Sequence, residues 1–375
     1  MPVAFMMGLL SFTPFFEKSA YDELRSACDF KVLERSWSRI VIRCDGKLPG
    51  NGWAESSKFI HYCLPLFSER EMPEGFGKNE MLAFLLEYLS SESCSKIGSF
   101  IIEAIQFERA GENSAKDIEV YLGTKLESAG FPIDMKNPQS RLYIVVCKKA
   151  VYAGYCASAE LMFSMIDINR AYASRADRVS RAERKLSEAF RIFRIETPRQ
   201  GHAEIAIDIG AAPGGWSMGL SSMGYKVIAI DNADLDTGAF SNEEIEVVEM
   251  KCDGADEGIR GFASGNAGVL HLRGSFEEAS ESVLKSGIRS SFIGIDVNAE
   301  PEISVSALLL YLPALTDNCK SIITIKCKTK NVGSNIEAAR MALGDACKII
   351  RLKALPSNRQ EITALCVKGD SITGT

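Results

Sequence analysis

Residues 207–217 read IDIGAAPGGWS, and their types and spacing are those of a loop that cradles a cofactor. The apolar run 204–209 enters it as a strand, and a helix-like stretch from Trp216 to Met223 leaves it. Gly210, Gly214 and Gly215 let the backbone approach a ligand and take dihedral angles closed to other residues. Pro213 stiffens the turn and steers Ala212 away from helix. Such a strand–turn–helix sits at the carboxyl end of a strand, where open α/β sheets bind cofactors. A second apolar strand, 226–231, ends in Asp231, roughly 20 residues past the turn, where a carboxylate can accept hydrogen bonds from ribose hydroxyls. The Asp-Asn pair there is also good turn chemistry.

The elements that must position this loop follow from the hydrophobic pattern. Apolar strands are expected at 204–209, 226–231, 269–273, 291–297, 321–327, 348–354 and 361–367, with helical stretches between most of them. That alternation predicts an α/β unit with a parallel, doubly wound sheet of seven strands over 169–375. Residues 232–268 form a long acidic connection, read as an insertion.

The N-terminal half divides into two smaller α+β units. Residues 1–90 carry a strand from Val3 to Phe12, a helix from Glu17 to Ala27 and a hairpin over Lys31–Cys44. A turn cluster from Pro49 to Gly52 and a helix from Ser57 to Leu66 follow. Residues 91–168 carry a strand from Ser99 to Glu108 and a helix over Ala115–Ala129, capped by Ser114 and ended by Gly130. A turn at Asn137 and Pro138 leads to strands Arg141–Cys147 and Ala150–Tyr155.

Composition excludes some classes. The 375 residues contain 46% hydrophobic and 25% charged residues, ordinary for a globular chain of two or three domains. No apolar run is long enough to span a membrane, so no membrane partner is expected. Eleven cysteines without C-x-x-C spacing indicate a reducing, cytoplasmic setting. Three scattered histidines argue against a metal site. The net charge of −6 hides one basic stretch: residues 169–200 hold nine Lys and Arg against four Asp and Glu. Beside the cofactor loop, this stretch is placed to face phosphates.

The pattern D-x-G-x-x-P-G-G-W resembles the S-adenosylmethionine loop of the FtsJ-like RNA ribose 2′-O-methyltransferases. The segment SRAERKLSEAF, 180–190, is similar to that family's first helix, and NRQEIT to its R-x-E element. The resemblance implies a class I, Rossmann-like methyltransferase domain with a Lys-Asp-Lys-Glu catalytic tetrad of Lys185, Asp296, Lys326 and Glu361. Lys326 would be the base. Lys185, expected at the solvent boundary of its helix, and Glu361 would position the ribose. Asp296 would stand between methyl donor and lysines. Two lysines close together would depress each other's pKa, while the carboxylates orient them and restrain that effect. The cofactor, S-adenosyl-L-methionine, would be held by Asp208, Gly210, Ala211, Pro213, Gly214, Gly215, Trp216, Asp231 and Asp296. Where the family has an acidic adenine contact this chain has Ser275, with Asp253 as a substitute. Arg178, Arg181 and Arg184 would bind RNA.

The 91–168 region, with its D-x-K-N-P and Y-x-G-Y elements, resembles a THUMP RNA-binding domain, and 1–90 is expected to be ferredoxin-like. That domain order resembles bacterial enzymes that 2′-O-methylate a cytidine of large-subunit ribosomal RNA. Structured RNA, ribosomal above all, is the partner this implies. A transfer RNA 2′-O-methyltransferase and a non-catalytic RNA-binding or assembly factor are the alternatives.

Overall fold

The computed structural model describes residues 6–73, 78–91, 98–107, 113–160, 178–199, 204–236, 245–265, 268–327 and 331–369. The chain separates into two compact units, Met1–Asp167 and Ile168–Thr375.

The first unit begins with β1 (Met6–Phe12), α1 (Glu17–Ala27), β2 (Phe30–Arg35), β3 (Arg39–Cys44), α2 (Gly50–Ser56) and β4 (Ile60–Leu66). Its antiparallel sheet has the order β2-β3-β1-β4, which makes this βαββαβ unit ferredoxin-like. Val3 to Phe5, expected in the first strand, lie outside the described residues. The helix expected over Ser57–Leu66 is instead strand β4, and the helix forms earlier, over the glycines of the expected turn cluster. A short apolar run does not reveal its own period when both faces are covered. β4 is such a run: it pairs with β1, and the Tyr143 hydroxyl donates to the Pro65 carbonyl on it.

The rest of the unit is β5 (Ser68–Glu71), α3 (Lys78–Ser91), β6 (Phe100–Gln106), α4 (Ala115–Ser128), β7 (Ser140–Val146) and β8 (Ala150–Ala157). The second sheet runs β5-β8-β7-β6, with only β6 and β7 parallel. Leu85 and Leu89 of α3 and Leu122 of α4 share one core with Phe100, Leu142 and Val151. β5 therefore pairs in the second sheet and α3 packs against it. The four residues of β5, SERE, alternate half-buried and exposed and carry no apolar signal. Ser114 caps α4 as expected, accepting the Asp117 N–H at 3.1 Å in a capping box.

The second unit contains α5 (Arg178–Phe193), β9 (Ile205–Ile209), α6 (Gly215–Ser222), β10 (Lys226–Asp231), β11 (Val247–Lys251), α7 (Asp256–Ser264) and β12 (Val269–Arg273). It continues with α8 (Phe276–Ser286), β13 (Ser290–Ile295), α9 (Pro301–Tyr311), β14 (Leu315–Lys326), α10 (Val332–Leu343), β15 (Cys347–Lys353) and β16 (Glu361–Lys368). One eight-stranded sheet joins its strands in the order β11-β12-β10-β9-β13-β14-β16-β15. Only β16 is antiparallel to its neighbours. The seven expected strands are present, and β11 is an added edge strand drawn from the 232–268 connection.

The strand order reverses at β9. From it the chain moves outward to β10 and then returns to β13 on the other side. Right-handed crossovers in opposite directions put their helices on opposite faces of the sheet and open a crevice at the carboxyl ends of β9 and β13. No helix among the described residues is long and apolar enough to cross a membrane.

Candidate active site

The glycine turn lies in that crevice. Gly210 adopts φ +77° and Gly214 φ +115°, both in the left-handed region. A Cβ on Gly210 would come within 3.0 Å of the Asp296 carbonyl oxygen, so this position also needs glycine for space. The N–H groups of Gly210 and Ala211 both donate to the Ile230 carbonyl, which ties the turn to the end of β10. The Asp231 carboxylate braces it from the same strand, accepting Ala212 N–H at 3.0 Å and Ala233 N–H at 2.9 Å.

Asp208 lies just before the turn. It is fully buried on β9 and accepts the Ser217 hydroxyl at 2.6 Å, pinning the first turn of α6. Burial pushes its carboxyl up to about 7. Trp216 lines the crevice while its ring packs on Gly294, where a Cβ would meet the ring at 2.7 Å. Its indole N–H is buried with no hydrogen-bond partner among the described residues.

The four tetrad residues come together from four elements. Lys185 rises from α5, Asp296 follows β13, Lys326 ends β14 and Glu361 opens β16. Lys185 Nζ donates to Asp296 Oδ2 at 2.7 Å and lies 2.8 Å from Glu361 Oε1. Lys326 Nζ donates to Asp296 Oδ1 at 2.9 Å and to Glu361 Oε2 at 3.2 Å. The result is a closed ring of alternating charge. At an effective dielectric near 20, each contact of about 3 Å carries a Coulomb attraction of about 5 kcal/mol, set against a desolvation penalty of several kcal/mol per ion.

Lys185 is not at the solvent boundary; it is 3% exposed. Burial by itself lowers its pKa, but Asp296 and Glu361 outweigh burial and hold the ammonium above the ordinary lysine range. The expected mutual depression by the second lysine therefore does not govern Lys185. Burial raises the carboxyls of Asp296 and Glu361, yet the two ammonium groups win and hold both below the usual carboxylate range.

A cavity of about 450 Å³ joins turn and ring. Gly210, Ala211, Pro213, Gly215 and Trp216 line one part of it, with Lys185, Asp296, Lys326 and Glu361. Arg181, Asn298 and Arg359 add to its charged and polar lining. The sequence reading named Arg181, included Arg359 only as the arginine of the R-x-E element, and missed Asn298. It also missed Thr324, whose hydroxyl donates to Asp296 Oδ1 at 2.7 Å. The period of two along IITIK could have found it, since Thr324 and Lys326 share a face. Glu188 does not pair with Lys185; it is buried and receives the Ser357 N–H and hydroxyl at 3.0 and 2.8 Å, joining α5 to the loop before β16.

Ser275 is the N-cap of α8, in a capping box with Glu278. Asp253 lines a second cavity, of about 700 Å³, with Asn232, Cys252 and Gly274. Arg184 is half-buried and does not line the tetrad cavity. The side chain of Arg178, and Arg170 and Arg175 of the basic stretch, lie outside the described residues.

The sheet order, with its single antiparallel strand next to the edge, and the glycine turn at the switch point define the class: a Rossmann-like, class I methyltransferase fold. Within it, residues 178–257 match the family model of the FtsJ-like methyltransferases, a stretch that runs from α5 through the turn to the start of α7. The chain is similar to the ribosomal RNA large subunit methyltransferase M of Shewanella pealeana, at 29% identity over 193 residues, 49% of this chain and 52% of the relative. The protein of the same description from Shewanella oneidensis is 32% identical over 190 residues, 46% of this chain and 51% of that one. The chain thus spans about half the length of these curated relatives. Among solved structures, TrmN from Thermus thermophilus aligns over 97% of this chain and 99% of its own, with 14% identity and a TM-score of 0.37.

Proposed function

We propose that this protein is an S-adenosylmethionine-dependent RNA ribose 2′-O-methyltransferase whose substrate is large-subunit ribosomal RNA. The observation that carries the reading is the closed Lys185–Asp296–Lys326–Glu361 ring in one cavity with a glycine turn built for close approach. The residues fit the cofactor: Gly210 leaves no room for a side chain, and among the described residues the buried indole N–H of Trp216 has no acceptor. Gly210, Ala211, Pro213, Gly214 and Gly215 would hold it by backbone, Asp231 at its ribose and Asp253 at its base. Bound there, the cofactor supplies an electrophilic methyl group.

The chain's own residues do the rest. A ribose 2′-hydroxyl is a weak acid and needs a positioned base. We assign that base to Lys326. Lys185, the more deeply buried of the two amines and the one in shorter contact with Asp296 and Glu361, stays an ammonium and stabilises negative charge growing on the ribose oxygen. Asp296 and Glu361 fix both amines in place, and Thr324 fixes Asp296. In the first unit, the β5-β8-β7-β6 sheet with its helices is the THUMP-like part, and we assign it to RNA docking.

The test is methyl transfer from labelled S-adenosylmethionine to unmodified large-subunit ribosomal RNA, followed by digestion and mass analysis of the nucleosides. A 2′-O-methyl nucleoside is expected. A base-methylated nucleoside would overturn the assigned chemistry, and labelling of transfer RNA alone would overturn the substrate.

A further inference from the structure

The ring itself is neutral, two ammonium groups against two carboxylates. Among the described residues the lining of its cavity is not, because Arg181 and Arg359 belong to it as well. Among the described residues neither guanidinium has an ion pair or a hydrogen bond, so the lining carries an excess of two positive charges. Both cations are rooted next to ring members. Arg181 precedes Lys185 by one turn of α5, on the same side of the helix. Arg359 precedes Glu361 by two residues, and the Gln360 carbonyl between them accepts the Cys327 N–H at 2.6 Å. Their distance from the reacting groups is therefore set by the elements that build the ring rather than by a free loop.

A guanidinium is a planar fork of donors that matches phosphate oxygens and keeps its charge at any working pH. A ribose within a strand has a phosphodiester on each side. We propose that Arg181 and Arg359 are the two arms of a clamp that grips these flanking phosphodiesters and delivers the 2′-hydroxyl between them to Lys326. This rests on the RNA reading above and makes it more specific: the site takes a nucleotide inside a strand and passes over a free nucleoside.

The experiment measures binding and methyl transfer with unmodified large-subunit ribosomal RNA transcript, for the wild type, Arg359→Ala, Arg359→Lys, Arg181→Ala and the double alanine variant. Each phosphate contact contributes about one unit to the slope of log affinity against log salt. Each single alanine variant should lose about one unit of slope and the double variant about two, with the RNA KM raised about tenfold and kcat changed much less. Arg359→Lys should keep the slope and recover part of the affinity. Unchanged slopes and KM values would overturn the clamp while leaving the methyltransferase reading intact. A raised KM for S-adenosylmethionine in place of RNA would also overturn it, giving the cation to the cofactor's carboxylate. If the wild type methylates no RNA, the function reading fails, and the salt slopes with the same transcript still decide the clamp. Arg359 is exposed, so its replacement leaves folding in place, checked by the melting temperature.

Discussion

Lys326 and Glu361 stand directly opposite each other across the antiparallel β14–β16 pair, and their side chains meet at 3.2 Å. The register of one strand pair thus places two members of the tetrad. Thr324, two residues earlier on β14, falls on the same face and holds Asp296. A slip of one residue would turn Lys326 to the other side of the sheet and open the ring.

Replacing Lys326 by alanine removes the base and leaves Lys185 protonated. Single-turnover methyl transfer should fall by about 10²–10⁴-fold. The cofactor affinity, read by calorimetric titration, should change little. A wild-type rate in Lys326→Ala would sink the mechanism.

Lys185→Met strands two buried carboxylates with one ammonium. Breaking a buried ion pair this way costs about 3–5 kcal/mol. The sign of its pH dependence follows from the wild-type ring. Asp296 and Glu361 have lowered folded pKa values, so their stabilisation is complete above about pH 5 and fades as pH falls through those values. Lys185 has a raised value, so its share is complete below about pH 10 and fades as pH rises through it. In the variant a stranded carboxyl can take a proton. Urea unfolding should therefore show a smaller deficit at pH 5 than at pH 8.

Asp208 points the other way. Its folded pKa of about 7 exceeds the unfolded 3.8, so its contribution is greatest below about pH 4 and is lost between there and about pH 7. Asp208→Asn keeps an acceptor for Ser217 and has nothing to ionise. Relative to the wild type it should gain stability from pH 4 to pH 8, by an amount of order 4 kcal/mol at about 1.4 kcal/mol per pKa unit. Parallel stability curves for the two proteins would refute the assigned burial effect.

Ser275 and Asp253 can be told apart by two readouts. Ser275→Ala removes a helix cap and should cost about 1 kcal/mol of stability with S-adenosylmethionine affinity unchanged. Asp253→Asn should lower that affinity about tenfold with little change in melting temperature. The reverse pattern would return the adenine contact to Ser275.

Local chemistry made much of this protein legible in its sequence. The glycine turn announces itself because only glycine tolerates the φ values of Gly210 and Gly214. The parallel strands announce themselves as apolar runs, since both their faces are covered. Where burial and local pattern part, the sequence misleads. β4 looked helical because an apolar run covered on both faces shows no alternation, and β11 was hidden because its half-exposed residues are partly polar. Chain order and residue type named the tetrad, but not its state. Whether a lysine loses or keeps its proton depends on how closely its carboxylates approach and on the water excluded around it. Those distances arise only when α5, β13, β14 and β16 converge. Tertiary structure decided that Lys185 is buried and stays charged, and that Arg181 and Arg359 line a cavity whose ring is already balanced.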